Sequence, residues 1–414
     1  MEMGCASHRA TSHTSQRFIS PSVHCRPVAL SVGVLAFPMA SPVWGGNPWA
    51  TYKMVNTLAT LHRNDTFHLV FYGELANEVA RANVGRLLKL NPNVKSQVLE
   101  KGKAAIRWCE GNVDVVWGPV SGILRTERVP QVFTLHDMRM FTRYSESYVG
   151  HLRHRVGLDH AMRHARVAVV ISRSTREEAL KVYHKKEYER KVDLVYWGVP
   201  QSFDDAGTVA PRRPPGLGTD DFITAIYDPL PQKRMDLLRT VVPILDSHGW
   251  EMACIGALRG GRRDRLVDHP RVHYLGYVEP ALFPAYIRAS RLFLFPSEYE
   301  GFGTPPYEAM SLGVPVLYNA RCRALREEIG QLSHSFDSDE ALPGALEGLI
   351  ASERSRVEHV GECLQLVRRF SWERAARQYM YLFQLAHDRA GSEVDFSPGK
   401  DRPSIEAVAG GVRP

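Results

Sequence analysis

Short runs that are almost wholly apolar recur along the first half of the chain. Val28 to Phe37, Phe67 to Tyr72, Val113 to Trp117, Gln131 to Leu135, Val167 to Ser172 and Lys191 to Tyr196 read as strands. Continuous apolar runs, rather than alternating ones, belong to parallel strands covered on both faces. Between them the period changes. Met54, Val55, Leu58 and Leu61 give Trp49 to Leu61 a helical face, and a second helix runs from Thr175 to Tyr183. A further series begins at Phe222 to Tyr227 and continues with Met252 to Ile255, Val272 to Leu275, Leu292 to Phe295 and Val314 to Tyr318. Helices from Met235, over Leu282 to Ala289 and over Tyr307 to Leu312 separate these strands. Strands that alternate with helices predict βαβ units and a parallel sheet.

The two series set the domain limits. Residues 28–199 form one α/β domain and 220–372 a second, joined by a Pro- and Gly-rich linker over 200–219. A last helix, capped by Ser371, fills 373–390. Residues 1–27 and 391–414 have neither period and read as disordered tails. The first is poor in acids and carries Arg9, Arg17 and Arg26, which also suits a transit peptide or the n-region of a signal peptide. A ragged tail before the first strand is the preferred reading. Residues 76–109 show basic side chains among apolar positions, and no strand is assigned there.

The most informative stretch runs from Phe293 to Pro315. A buried strand ends at Pro296-Ser297, the turn Glu300-Gly301-Phe302-Gly303-Thr304 follows, and a helix leads to Gly313. Loops at the carboxyl ends of strands are where open α/β sheets bind ligands. Gly301 and Gly303 allow backbone N–H groups to approach an anion, and the helix start adds partial positive charge. Glu300 and Glu308 flank this cradle and would repel phosphate, so they read as acceptors for neutral hydroxyls. A diphosphate between two polyols meets both demands, and a sugar nucleotide is such a ligand. His136, at the carboxyl end of another strand, faces the same kind of cleft.

Composition narrows the classes. With 44% hydrophobic and 23% charged residues the chain folds as a globular protein. A net charge of +7 suits nucleic acid, an anionic membrane or an acidic substrate. No concentrated Lys/Arg tract or aromatic RNA-binding signature accompanies it, so nucleic acid is not expected as a partner. The helix over His151 to Arg166 has one apolar and one basic face, a form suited to anionic lipid. The six cysteines show no Cys-x-x-Cys pair and read as reduced thiols, several of them in cores. No apolar run reaches the roughly 18–20 residues that span a bilayer.

The wording Glu-Gly-Phe-Gly-x-Pro-x-x-Glu-Ala-Met, from Glu300 to Met310, closely resembles the Glu-x7-Glu signature of family 4 glycosyltransferases. The resemblance covers about residues 28–390 and is strongest in the second domain. It implies the GT-B fold, two Rossmann-like doubly wound α/β domains facing across a cleft, with the final helix crossing back to the first domain. It implies a retaining transfer of a sugar from a nucleotide-diphosphate donor to a hydroxyl acceptor, a growing surface glycan or lipid-linked saccharide. Glu300 then meets the donor sugar, Glu308 the ribose, and Gly301, Phe302, Gly303 and Thr304 the phosphates. Tyr277 and Val278 match the loop that holds the base, and Lys233 the lysine that stabilises the leaving diphosphate. His136 lies near the reacting oxygen, Asp137 orients its loop, and Gly45 and Gly46 match a glycine loop on the acceptor side. No cofactor is expected besides the donor, and no metal, because no Asp-x-Asp stands where one would bridge the phosphates. The implied location is cytoplasmic, with peripheral contact at the inner face of the membrane.

Two positions depart from the family pattern. Trp197 stands where an Asn precedes Gly198-Val199, and Tyr227-Asp228 replaces a Gly-Arg pair. A carboxylate in place of a phosphate-binding arginine opposes donor binding unless Arg234, next to Lys233, takes over. It also keeps open a non-catalytic sugar-nucleotide-binding scaffold of the same fold, or a hydrolase or epimerase built on it.

Overall fold

The computed structural model describes residues 29–41, 44–75, 77–100, 102–144, 148–199, 209–256, 265–279 and 281–388. The tails read at 1–27 and 391–414, the linker residues 200–208 and the end of the final helix at 389–390 lie outside them. Seven parallel strands form the first sheet: β1 (Ser31–Leu35), β2 (Thr66–Tyr72), β3 (Val94–Leu99), β4 (Val115–Gly118), β5 (Gln131–Leu135), β6 (Val167–Val170) and β7 (Val192–Leu194). Their order is β3-β2-β1-β4-β5-β6-β7. The second sheet has β8 (Phe222–Ile226), β9 (Glu251–Ile255), β10 (Val272–Gly276), β11 (Leu292–Phe295), β12 (Val316–Asn319) and β13 (His334–Phe336). Its order, β10-β9-β8-β11-β12-β13, repeats the first scheme. In each sheet the chain reverses direction across the sheet after its third strand. The loops beyond β1 and β4, and beyond β8 and β11, therefore open onto crevices.

The central strands form where they do because both faces are covered. Every residue of β4, β5, β6, β11 and β12 is buried. Two strands were not anticipated, and both lie on sheet edges. In β3 Lys95 and Val98 are exposed and only Val94 is buried, so the edge strand loses the continuous apolar run. β13 has only three residues, of which Phe336 alone is buried. Two helices begin earlier than their apolar faces suggest. One runs Gly46–Leu61 and the other Thr304–Ser311.

The helix Trp372–Asp388 packs on the first sheet although it follows the second domain in sequence. The Tyr379 hydroxyl lies 2.8 Å from Thr134 Oγ1 on β5, and its ring meets that of Trp117 edge-on at 5.3 Å. Ser371 caps this helix by accepting the Arg374 N–H at 3.1 Å. Gly198 makes the approach possible, since a Cβ there would lie 2.4 Å from the Trp372 nitrogen. Residues 209–219 lie against the second domain: Arg212 N–H donates to the Ala285 carbonyl at 3.0 Å, and Arg288 to that of Val209 at 2.7 Å.

Candidate functional site

The loop after β11 is anchored before it reaches Glu300. Asn319 at the end of β12 donates to the Pro296 carbonyl at 3.1 Å. The Glu298 N–H donates to the Gln232 carbonyl at 2.8 Å, which docks the turn Pro231–Lys233 onto the loop. The Glu300 carboxylate then accepts from Lys233 Nζ and from Ser297 Oγ, each at 2.6 Å. Burial works against the Lys233 ammonium, but Glu300 and Asp228 outweigh it and hold the group above the ordinary lysine range. Glu300 and Lys233, expected to meet the donor sugar and the diphosphate, thus form one ion pair.

The cradle has a specific backbone. Gly303 is left-handed, with φ +82°, and the helix Thr304–Ser311 starts directly after it. Pro305 and Pro306 lack N–H groups, so the donors at this helix start are those of residues 301–304. The Phe302 side chain takes no part. It is buried, stacked on Tyr307 with ring centroids 4.7 Å apart and planes 8° apart, so only its backbone faces a ligand. Glu308 is 9% exposed, and among the described residues no side chain or backbone group bonds to its carboxyl. Burial alone pushes that carboxyl up to about 8.

The first domain reaches the same place. His136 follows β5, and its Nε2 lies 2.6 Å from the Pro119 carbonyl. A carbonyl only accepts, so Nε2 carries the proton, and burial lowers the pKa to keep the ring neutral. The edge of Trp197 packs on it at 4.6 Å between centroids, which gives the Trp at this position a role beside the histidine. Asp137 Oδ1 accepts the Arg139 N–H at 2.9 Å, a local turn within the His136 loop. Gly301 lies against the carbonyl of His136, and a Cβ on it would come within 1.9 Å of that oxygen. Thr175 Oγ1 sits between the two loops, 3.4 Å from the His136 carbonyl and 3.3 Å from that of Gly301. Gly301→Ala is therefore expected to separate the two loops. Turnover should fall at least ~30-fold, with a stability loss in the ~1–3 kcal/mol range of overpacked sites. Paired kinetic and urea-denaturation measurements check it, and unchanged turnover would place the chemistry away from this contact.

Other expected positions are placed differently. Arg234, the one non-glycine residue with positive φ among those described, points its guanidinium at carboxylates. It bonds to Glu298 at 3.1 Å, to Asp236 at 3.1 Å and to Asp339 at 2.5 Å. Three carboxylates thus engage the residue expected to replace the missing arginine. Asp228 accepts the Leu230 N–H at 3.2 Å and stays near Lys233. Tyr227 is buried, with its ring on Tyr274. Tyr277 is 62% exposed beyond β10, followed by the half-buried Val278. Gly45 caps the helix Gly46–Leu61, and Gly46 begins it. Both are exposed with open space around them, so the protein itself imposes no close approach there. Sequence reasoning passed over Ser297, Thr175 and Tyr299. Ser297 stands in the loop before Glu300, but Tyr299's partners, and one of Thr175's, are more than a hundred residues away. Among the described residues no cluster of three or more His, Cys, Asp or Glu has metal-binding form. Cys109, Cys254, Cys322 and Cys363 are buried free thiols.

A sequence model of the glycosyl transferases group 1 family matches residues 222–352. The O-antigen chain mannosyltransferase B of Escherichia coli is 33% identical over 116 residues, 28% of this chain and 30% of that protein. The phosphatidyl-myo-inositol mannosyltransferase of Mycobacterium leprae is 31% identical over 197 residues, 44% of this chain and 50% of that protein. The chain thus aligns with about a third to a half of the length of these relatives. Among solved structures, Anabaena HepE in complex with UDP and glucose superimposes with a TM-score of 0.61 at 15% identity, covering 86% of this chain and 100% of that one. Residues 222–352 thus carry the glycosyl transferases group 1 match, and the paired parallel sheets have the GT-B fold.

Proposed function

We propose that this protein transfers a sugar from a nucleotide-diphosphate donor to a hydroxyl acceptor with retention at the anomeric carbon. One observation carries the proposal. A buried carboxyl to which no other described group bonds, Glu308, lies one helical turn past a glycine cradle whose rim holds the Lys233–Glu300 pair. Burial disfavours its charged form, and ribose hydroxyls are suitable donors to it. In the transfer, the bond from the anomeric carbon to the diphosphate oxygen breaks. The acceptor oxygen bonds to that carbon on the same face, and the acceptor proton leaves with the diphosphate. Lys233 and the N–H groups of residues 301–304 stabilise the charge gathering on the leaving group. Glu300, held by Lys233 and Ser297, orients sugar hydroxyls. The neutral His136 ring contributes a dipole beside the reacting oxygen.

The names of the two relatives make a mannosyl donor the first to test, and a glycan or lipid-linked saccharide the first acceptor. The helix Tyr148–His164 exposes Leu152 and Val156 beside Arg155, a face that fits an anionic membrane. Among the described residues no helix is long and apolar enough to cross one. A second reading, a sugar-nucleotide-binding scaffold without turnover, is favoured by Asp228 and by the engagement of Arg234 with carboxylates.

Calorimetry with UDP, GDP, ADP and their glucose and mannose derivatives, without added metal, tests the donor site. Micromolar binding of one base is expected, followed by release of that nucleoside diphosphate when acceptor is supplied. Binding without release would favour the scaffold. No binding at all would remove the donor-site reading.

A further inference from the structure

We propose that Tyr299 is a positioning residue for the transfer, its hydroxyl fixing the His136 loop against the Glu300 loop. The inference rests on the donor-site reading above and adds a residue to it. Tyr299 immediately precedes Glu300. Its hydroxyl accepts the Met138 N–H at 2.9 Å and donates to Glu178 Oε2 at 2.7 Å. Met138 lies two residues after His136, and Glu178 stands on the helix Arg173–Val182, which also carries Thr175. One hydroxyl thus joins three segments: the loop with His136, the loop with Glu300, and the helix whose Thr175 bridges their carbonyls. Both bonds cross from one sheet's domain to the other's.

The two halves of the site have no covalent reason to keep a fixed separation. Their nearest chain connection runs through residues 195–221, and displacement of a reacting group by about 1 Å costs on the order of 100-fold in rate. The Gly301–His136 contact prevents the loops from moving closer, and the Tyr299 hydroxyl prevents them from moving apart or sliding. Burial raises the Glu178 carboxyl, while its bond to Tyr299 pulls it down, so that carboxylate is held in part by the same hydroxyl. Domain association does not depend on it alone. Arg173 pairs with Glu328 at 3.3 Å and Arg323 with Glu177 at 2.6 Å across the same interface.

The test uses full-length protein and the sugar nucleotide that binds in the calorimetric panel, with nucleoside diphosphate release as the assay. Tyr299→Phe keeps the ring and removes only the hydroxyl. Its kcat should fall ~10–100-fold while the Kd for the bare nucleoside diphosphate stays within about twofold, since that ligand sees only the second domain. Glu178→Gln keeps an acceptor for the hydroxyl and should retain most of kcat, whereas Glu178→Ala should not. Arg173→Ala removes an interface pair elsewhere and should leave kcat per folded molecule unchanged. Equal kcat for Tyr299→Phe and the parent, or an equal fall in Arg173→Ala, would overturn the inference and leave the donor site standing. Failure of the parent to bind any panel member would instead count against the donor site itself.

Discussion

Replacing Glu308 with Gln should make the protein more stable and its donor binding weaker. The carboxyl is buried, has no bonding partner among the described residues, and is raised from 4.5 to about 8 by desolvation. A folded-state pKa above the unfolded value gives stability that is complete below the unfolded pKa and lost as pH rises through the folded one. The window here runs from about pH 4.5 to about pH 8. At pH 7 the carboxyl costs up to ~3 kcal/mol, from ~1.4 kcal/mol per pH unit of that window already crossed. The amide of the Glu308→Gln variant does not titrate, so the variant should lose this slope and melt higher, with the gap to the parent widening from about pH 5 to about pH 8. Donor binding should respond in the opposite sense. Hydrogen bonds from ribose hydroxyls to a charged acceptor contribute ~1.5–3 kcal/mol each, so above about pH 8, where the carboxyl is ionised, the nucleoside diphosphate Kd should rise ~10–100-fold. Melting curves across pH and calorimetry at one pH read the two effects independently. A lower melting temperature would mean that Glu308 has a partner in the folded state. An unchanged Kd would remove its ribose role.

This opposition explains which parts of the site the sequence revealed. Glu300 and Glu308 lie on one short loop and helix, so their spacing alone displays the chemistry. β5 and β11 carry His136 and the motif, and their full burial writes a continuous apolar run. β3 was hidden because its edge position leaves Lys95 and Val98 exposed, and β13 because it has only three residues. Long-range pairing was hidden more deeply. Arg234 reads as a free cation beside Lys233, yet its acceptors come from residues 236, 298 and 339, which only the folded second domain assembles. Gly301 reads as a glycine that lets an anion approach, and in the structure its missing Cβ makes room for the His136 carbonyl of the other domain. Phe302 reads as a member of the phosphate loop because it lies between two cradle glycines, yet its ring is buried and stacked on Tyr307. Tyr299 carried no signal, since a tyrosine before the motif glutamate looks the same whether it faces solvent or joins two domains.

The second large effect belongs to Lys233. Lys233→Met should lower turnover by at least ~100-fold, the loss typical when one stabiliser of developing negative charge is removed. The same substitution leaves Glu300 with Ser297 as its hydrogen-bond partner and Asp228 nearby. Breaking a buried pair by deleting one member costs ~3–5 kcal/mol, because the remaining charge is uncompensated. With side-chain exposures of 23% for Lys233 and 15% for Glu300, solvent screening brings this toward the lower end. Adding Glu300→Gln to Lys233→Met should then restore much of the melting temperature and none of the turnover, because the amide needs no counter-charge and the leaving diphosphate still lacks its cation. A double-mutant cycle on stability and on kcat separates the two roles. If the double variant regained turnover as well as stability, Lys233 would be a counter-ion for Glu300 and nothing more. The charge on the leaving group would then rest on the N–H groups of residues 301–304 alone. If neither recovered, the pair would be holding the loop after β11 in shape, and the docking of Gln232 onto that loop would be the next contact to break.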